Sequence, residues 1–253
     1  MHILYMPNHT VKKSVGMILF DKSGKNVMLI QKRNTYAFTD FMLGRYNKNN
    51  RRALLSKLNN MTIHEKLLLK SLDFDLMWYN LFLSSEKTPI YYRCLAKFTN
   101  SFLSNNIKYF KSLINGSTRS IDLIWEPPKG RIGQRESNLS CGIRELKEET
   151  GISMDAYNIV LGEKVKKCVV KEGIKYVVYY YVARCRDDVR ATYNINNVHQ
   201  SIEIANAKWV PVHDLRVYTM INDIRQAIVA KYIKICRRKR DLEHATIIDV
   251  LNI

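Results

Sequence analysis

Length, composition and charge limit what this chain can be. Its 253 residues have a mean hydropathy of −0.25 and are 46% hydrophobic, which is enough for one large core or two small ones. Its apolar runs are no longer than strands, far below the roughly 20 residues of a membrane span, and no signal-peptide pattern is present. We therefore expect a soluble, cytoplasmic protein rather than a membrane protein. The formal charge of +18 predicts a polyanionic partner, with nucleic acid, inositol polyphosphate and anionic lipid all compatible.

The cysteines and histidines show neither a disulfide pattern nor a zinc-binding pattern. The five cysteines are widely separated and never spaced as CxxC, and the six histidines have no partner at the spacing of a helical metal site. We predict buried free thiols in a reducing compartment.

Strand-like segments lie at both ends of the chain. The first two are joined by the turn formers of residues 21–25, and this pattern predicts an antiparallel hairpin. The predicted strands are Lys12–Phe20, Asn26–Arg33, Ile121–Trp125, Lys164–Val170, Ile174–Arg184 and Ala207–Val212. A helix at Met220–Cys236 and a basic cluster at residues 237–240 follow the last strand.

Residues 36–119 have a helical rather than a strand-like pattern. Thr62 and Glu65 have the spacing of a capping box, and a helix should begin there, with Leu72 and Met77 on its apolar side. Two shorter helices are predicted at Tyr91–Phe98 and Asn106–Leu113. We therefore expect a mainly helical domain of residues 36–119, inserted into a domain formed by residues 1–35 and 120–253.

The charge of this insert indicates a nucleic-acid partner. It carries 13 basic and 5 acidic residues, so its formal charge is 13 − 5 = +8, and it is rich in aromatic rings. Basic residues hold phosphates while rings stack on bases, which suits single-stranded RNA, although the rings can equally form a helical core. We predict RNA contacts at Arg51, Arg52 and Lys57, and the insert could also pair with its copy in a homodimer.

The most informative stretch is GRIGQRESNLSCGIRELKEETGI, residues 130–152. Ser137 or Asn138 can cap a helix in it, and Gly151 can end that helix. Three carboxylates at positions i, i+3 and i+4 then leave one helix face, namely Glu145, Glu148 and Glu149. Like charges so close together favour a bound cation, and clustered carboxylate oxygens prefer Mg²⁺ or Mn²⁺ to zinc.

This stretch resembles the complete signature of the Nudix hydrolases, G-x5-E-x7-R-E-U-x-E-E-x-G-U, where U is a bulky aliphatic residue. The resemblance implies an α+β fold, an α/β/α sandwich with a mixed central sheet, and metal-dependent hydrolysis of a diphosphate linkage. It also implies metal ligands at Glu145, Glu148, Glu149 and the Gly130 carbonyl. Glu136 and Arg144 would then be structural, as an ion pair between the loop and the helix. The general base stays open among Glu145, Glu148 and Glu203.

Two further resemblances concern the substrate. Residues 125–132, WEPPKGRI, are similar to the W-x-x-P-K-G-K-I run of the mRNA-decapping and diphosphoinositol polyphosphate branches, which implies phosphate contacts at Lys129 and Arg131. The position of the helical insert and residues 59–80 resemble the decapping enzymes of large DNA viruses. That resemblance implies a viral enzyme of the host cytoplasm that cleaves capped mRNA to 7-methyl-GDP and 5′-monophosphate RNA.

Two other functions remain open from the sequence alone. One is hydrolysis of a diphosphoinositol polyphosphate or of a small nucleoside diphosphate compound. The other is a catalytically idle RNA-binding protein, against which the complete set of carboxylates argues.

Overall fold

The computed structural model describes residues 10–104, 106–171, 174–191 and 197–239. These residues form seven strands and nine α-helices, with short 3-10 segments and one π-helical segment between them. The strands are β1 (Thr10–Phe20), β2 (Asn26–Lys32), β3 (Trp125–Glu126), β4 (Lys129–Arg131), β5 (Tyr157–Lys171), β6 (Ile174–Cys185) and β7 (Ile204–Pro211). The helices are α1 (Tyr36–Met42), α2 (Arg51–Asn59), α3 (Ile63–Ser71), α4 (Phe74–Phe82), α5 (Pro89–Phe98), α6 (Ile107–Gly116), α7 (Asn138–Thr150), α8 (Val198–Glu203) and α9 (Asn222–Lys239).

The chain divides into two compact units. The first, called the sheet unit below, consists of residues 1–30, 125–193 and 206–253. The second, called the helical unit, consists of residues 31–124 and 194–205. The insert proposed from the sequence, residues 36–119, falls within the helical unit, which also contains Glu203.

The sheet is mixed. Its order is β3-β2-β1-β6-β5, with β4 also pairing with β1 and β7 with β2. Strands β1 and β6 run parallel, whereas β1 pairs antiparallel with both β2 and β4, and β5 with β6. The predicted hairpin and the predicted mixed sheet are therefore both confirmed.

Helices cover both faces of this sheet. On one face, Leu146 of α7 packs in a core with Met17 and Leu19 of β1. On the other face, the intervening residue Ile18 packs with Ile228 of α9. The alternation of side chains along β1 thus separates two cores, and the layers confirm the α/β/α arrangement expected for the fold.

The aromatic rings of the helical unit form its core. Phe102 and Phe110 stack with their centroids 4.3 Å apart, and Phe41 lies 5.8 and 5.9 Å from them. The buried rings of this core are Phe38, Phe41, Phe74, Trp78, Tyr91, Phe98, Phe102 and Phe110. Of the two interpretations left open by the sequence, core packing is the right one for these eight rings.

Glu65 joins two helix starts in the helical unit. It forms the predicted capping box with Thr62 at the start of α3, and its carboxylate also accepts hydrogen bonds from the N–H and hydroxyl of Thr35, which caps α1. Burial raises the pKa of Glu65, although the hydrogen bonds from Thr35 and Thr62 oppose the rise. The helix does not continue to Met77 as predicted, because Leu72 adopts a φ of 60° and a new helix, α4, begins after it.

The predicted strand at Ile121–Trp125 is shorter than expected. Only Trp125 and Glu126 form β3, and Ile121 donates its N–H to the Met61 carbonyl between α2 and α3. The segment is irregular because its backbone groups are satisfied outside a strand ladder. Residues 172 and 173 of the predicted turn and the side chains of the basic cluster at 237–240 lie outside the described residues.

Two expectations about the whole chain can be compared with the structure. No helix among the described residues is long and apolar enough to cross a membrane.

Cys94, Cys141 and Cys185 are buried free thiols as predicted. Cys168 is exposed, contrary to the prediction, because it lies in the partly uncovered end of strand β5.

Candidate functional site

The site is built where strand β4 meets strand β1 and helix α7. Gly130 pairs with Val15 in the antiparallel β1–β4 ladder. A Cβ atom on Gly130 would lie 2.1 Å from the Glu145 carboxylate, so only glycine lets that carboxylate rest against the strand. Gly142 of helix α7 also lies close to the sheet, because a Cβ placed on it would be 3.1 Å from the carbonyl oxygen of Gly16. Helix α7 therefore packs close to the sheet and holds Glu145 and Glu149 against β4.

Local sequence signals fix both ends of helix α7. The Ser137 hydroxyl accepts a hydrogen bond from the Ser140 N–H at 3.1 Å and caps the first turn. Gly151 adopts a φ of 73° and donates its N–H to the Lys147 carbonyl at 2.8 Å, which ends the helix. Both ends agree with the sequence prediction, so the carboxylates of the helix share one face as expected.

The guanidinium of Arg144 ties the preceding loop to the helix. Its Nε and Nη2 donate to the two carboxylate oxygens of Glu136 at 2.8 and 3.0 Å, and Nη2 also donates to the Arg131 carbonyl at 3.0 Å. Glu136 accepts a further hydrogen bond from the Gly133 N–H at 2.7 Å. These donors, Arg144 above all, lower the pKa of Glu136 to about 2, and the same pair raises the pKa of Arg144.

The three carboxylates of the helix face have different surroundings. Glu145 and Glu148 both accept hydrogen bonds from Nη1 of Arg144, each at 2.8 Å. Glu149 instead accepts the backbone N–H of Lys129 at 2.9 Å. Glu145 and Glu149 are 6% and 3% exposed, whereas the side chain of Glu148 is 53% exposed. Two of the three are thus held inside the fold, and one faces solvent.

Comparison with known proteins identifies the family. A family model described as NUDIX domain matches residues 113–232. The mRNA-decapping protein g5R of African swine fever virus (isolate Pig/Kenya/KEN-50/1950) is 33% identical over 215 residues, which cover 81% of this chain and 87% of that protein. The chain belongs to the Nudix hydrolase family.

More distant matches include another viral protein and a solved structure. A putative mRNA-decapping protein of Acanthamoeba polyphaga mimivirus is 25% identical over 213 residues, covering 72% of this chain and 57% of that protein. The solved Ap4A hydrolase binary complex of C. elegans covers 90% of this chain and 98% of its own, with 15% identity and a TM-score of 0.44.

Nudix hydrolases generally use a divalent metal ion, and helix α7 and strand β4 carry oxygen ligands suited to one. Three carboxylates and the Gly130 carbonyl are hard oxygen ligands of the kind that Mg²⁺ and Mn²⁺ prefer. Within the described part of the chain, no three His, Cys, Asp or Glu residues are grouped closely enough to hold an ion. The contacts explain why, since Arg144 holds two of the carboxylates and the Lys129 N–H holds the third. A metal ion would compete with Arg144 for Glu145 and Glu148.

Lys129 has a carboxylate partner that the sequence analysis did not identify. Its Nζ donates to Glu126 Oε1 at 2.7 Å, and both side chains are largely buried. Burial opposes the charge of Lys129, but the attraction of Glu126 outweighs it and raises the pKa. The spacing of three residues, Glu126-Pro-Pro-Lys129, was the available signal. A phosphate contact by Lys129 stays a prediction, as does one by Arg131, whose side chain is exposed.

Glu203 lies in the helical unit as the last residue of helix α8, directly before strand β7. Its carboxylate is exposed and lies 3.9 Å from Nζ of Lys32, and its carbonyl accepts the Arg33 N–H at 3.0 Å. Its role as the general base stays a prediction.

The predicted RNA-binding residues have two different environments. Arg51 and Arg52 are exposed on helix α2 and line a cavity of about 760 Å³, together with Arg119, which the sequence analysis did not single out. Lys57 lies on the same helix, but its largely buried ammonium pairs with Asp40 at 3.6 Å. The structure therefore brings Arg51 and Arg52 together with Arg119, and Lys57 is absent from that lining.

Proposed function

We propose that this chain hydrolyses the diphosphate linkage of capped mRNA in the host cytoplasm, releasing 7-methyl-GDP and RNA with a 5′-monophosphate. The proposal rests mainly on the 33% sequence identity to the g5R decapping protein, which extends over 87% of that protein. The full set of carboxylates on helix α7 supports it. The formal charge of +18 also favours a long polyanion over a small nucleotide as the substrate.

A basic cavity in the helical unit supports an RNA substrate. Its lining contains three arginines and no acidic residue, with apolar walls from Leu55 and Ile121. One wall is held firmly, because Asn59 accepts hydrogen bonds from the Ser117 hydroxyl at 2.9 Å and from the Arg119 N–H at 3.2 Å. An acid-free surface of this kind suits the phosphodiester backbone, whose charges would be met by Arg51, Arg52 and Arg119.

Residues of the sheet unit would have two roles during hydrolysis, metal binding and positioning of the carboxylates. Mg²⁺ or Mn²⁺, held by Glu145, Glu148, Glu149 and the Gly130 carbonyl, would neutralise diphosphate oxygens and lower the pKa of the attacking water. Arg144 would position the carboxylates through its pair with Glu136.

Solvent exposure separates the candidates for the general base. Glu148 is well placed to accept a proton from water, because its carboxylate is solvent-exposed, whereas Glu145 is enclosed between Gly130 and Arg144. We therefore favour Glu148 over Glu145, with Glu203 as the alternative outside the helix.

The activity can be tested with three substrates in Mn²⁺. Cap-labelled RNA, free cap dinucleotide and a diphosphoinositol polyphosphate should be incubated separately with the protein, and the products separated by chromatography. We expect labelled 7-methyl-GDP from the capped RNA, at a rate well above that for the free dinucleotide, and inhibition by uncapped RNA. Equal rates on RNA and free dinucleotide without such inhibition would contradict the proposal, as would faster cleavage of the inositol compound.

Glu149→Gln separates catalysis from binding. Its amide oxygen can still accept the Lys129 N–H, so the fold should persist, but the negative charge that a metal ion needs is lost. We expect turnover to disappear while affinity for uncapped RNA, measured by fluorescence anisotropy, stays within about twofold. Retained turnover would remove Glu149 from the set of essential ligands.

A further inference from the structure

A cluster of lysines and tyrosines lies on the sheet unit, outside the residues discussed so far. The ring of Tyr179 on strand β6 has two ammonium groups near it, Nζ of Lys13 at 5.2 Å from the centroid and Nζ of Lys166 at 5.6 Å. Two residues along the same strand, Tyr181 has Nζ of Lys164 at 5.0 Å from its centroid. We call these five residues the lysine–tyrosine patch.

The patch lies on the face of the sheet that carries helix α7. Val15 pairs with Gly130 on one side and with Tyr179 on the other, and Tyr179 pairs with Lys166. Partners in such a row project to the same face of a sheet. A Cβ on Gly130 would point at Glu145 of helix α7, so this is the face of the sheet that α7 covers. Tyr181 borders that helix directly, at 3.7 Å from the position of a Cβ on Gly142.

The row also sets the distance between the patch and the site. Neighbouring strands are about 4.8 Å apart, so Tyr179 lies roughly 10 Å from Gly130, two strands away. An RNA whose 5′ diphosphate is held at Gly130 can reach that distance with its first nucleotides.

The charges of the patch have no acidic counterparts in the described part of the chain. Lys13, Lys164 and Lys166 form no ion pair there, whereas Lys167, the neighbour that faces the other side of the sheet, pairs with Asp223. Two of these ammonium groups lie near the half-buried ring of Tyr179 and the third near Tyr181, and such a set of charges and rings matches a phosphate backbone with bases. The lysines have flexible stems and can exchange the ring for phosphates, which frees the ring to stack on a base.

We propose that the lysine–tyrosine patch binds the first nucleotides of the RNA next to the cleaved diphosphate, with Tyr179 stacking on a base and the three lysines contacting phosphates. The proposal rests on the capped-RNA activity proposed above and adds a second RNA contact, in the sheet unit. Aromatic stacking is thereby assigned to the sheet, since the rings of the helical unit are mostly core.

The first test compares variants of the ring. We expect Tyr179→Ala to lower kcat/KM for a capped decanucleotide by about tenfold, and Tyr179→Phe to keep most of it, because stacking needs the ring and not the hydroxyl. Tyr92→Ala is the matched control, since Tyr92 is an exposed tyrosine of the helical unit. Thermal unfolding of each variant checks that the fold persists. Equal kcat/KM for Tyr179→Ala and Tyr92→Ala would overturn the proposal.

The second test compares lysines. Lys164→Ala/Lys166→Ala should weaken binding of uncapped single-stranded RNA more than Lys22→Ala/Lys25→Ala, which removes the same charge at the turn after strand β1. Equal losses in the two double variants would mean that only net charge matters and would overturn the proposal.

A third measurement does not depend on decapping. RNA containing 4-thiouridine should crosslink to the tryptic peptide of residues 176–184, and mass spectrometry identifies that peptide. If this crosslink forms but capped RNA is not cleaved by the wild-type protein, the proposed function fails while the patch stands. If capped RNA is cleaved and the crosslink is absent, the patch fails while the function stands.

Discussion

At the scale of single residues, Arg144 organises the site. One guanidinium binds the loop through Glu136 and two helix carboxylates through Nη1. Like charges at this helical spacing would repel each other, and the guanidinium offsets that repulsion. The arrangement depends equally on a residue without a side chain, because Gly130 leaves the space that the Glu145 carboxylate occupies.

Replacing Gly130 should therefore damage the site more than the fold. Gly130→Ala would place a Cβ 2.1 Å from the Glu145 carboxylate, which must move away from β4. We expect at least a hundredfold loss of turnover, about 3 kcal/mol in activation free energy, with a smaller loss of stability. Gly116→Ala is the control, because its Cβ would have only an ordinary contact at 3.7 Å. Parallel assays of cap release and thermal unfolding decide the result, and near-normal turnover in Gly130→Ala would contradict it.

The exposure of Glu148 leads to a second residue-scale prediction. If Glu148 accepts the proton of the attacking water, Glu148→Gln should lower kcat by about 10² to 10⁴, whereas Glu203→Gln should have a much smaller effect. The reverse result would assign the base to Glu203. Single-turnover measurements on both variants distinguish the two.

How well the sequence predicted each residue depended on how local its partners are. The ends of α7 were predicted correctly because Ser137 and Gly151 act on their own helix. The environment of Lys57 was not predicted, because its partner Asp40 is 17 residues away in the chain and on another helix. The signature match indicated which residues matter in the site, but it carried no information about their exposure.

At the scale of elements, one buried carboxylate attaches helix α9 to the sheet. Glu163 at the bulge of strand β5 accepts from Nζ of Lys231 at 2.9 Å and forms an ion pair with Lys234 at 2.7 Å. The hydrogen bonds from Lys234 and Lys231 lower the pKa of Glu163 to about 2. Because the folded-state pKa lies below the ordinary value of 4.5, ionised Glu163 stabilises the fold above that value.

The pH dependence of stability should reveal this attachment. We expect Glu163→Gln to cost about 1–3 kcal/mol in the free energy of unfolding at pH 7, because two ammonium groups lose their partner. The difference from wild type should shrink as the pH falls from about 4.5 towards 2, since the wild-type carboxylate is then protonated as well. Urea unfolding at several pH values measures it. A difference that stays constant down to pH 2 would exclude ionisation as its cause.

Helices and strands were predicted correctly where local sequence signals determine them, and incorrectly where tertiary contacts determine where an element ends. The hairpin of β1 and β2 and the cap of α3 were predicted from turn and capping residues. The break at Leu72 was not, because a leucine with positive φ carries no sequence signal. The sequence left two roles open for the aromatic residues of the insert, stacking on RNA bases and forming a helical core. Their packing against each other in the structure shows that most of them form the core.

At the scale of the whole molecule, two compact units and a formal charge of +18 define the protein. The sheet unit carries the Nudix carboxylates and the lysine–tyrosine patch, and the helical unit carries the arginine-lined cavity. Three arginines line the cavity and three lysines belong to the patch, so two surfaces each carry a group of basic side chains. Affinity for RNA should depend strongly on salt.

Salt dependence can identify the contribution of the cavity. Arg51→Ala/Arg52→Ala should weaken binding of uncapped RNA and reduce the slope of log affinity against log salt by about 1.4 for two phosphate contacts. Lys57→Ala is the control from the same helix, and its main effect should be on stability, because its ammonium pairs with Asp40. Anisotropy titrations between 50 and 300 mM KCl measure the slope. An unchanged slope in the double arginine variant, or an equal change in Lys57→Ala, would contradict the assignment.

The pairing of Arg144 with Glu145 and Glu148 has a practical consequence for handling the protein. Since the guanidinium balances these carboxylates, chelators such as EDTA should inactivate the protein without unfolding it. Purified material could then be stripped of its ions, stored and reloaded with a chosen ion. The activities supported by Mg²⁺ and Mn²⁺ could thus be compared on a single preparation without a refolding step.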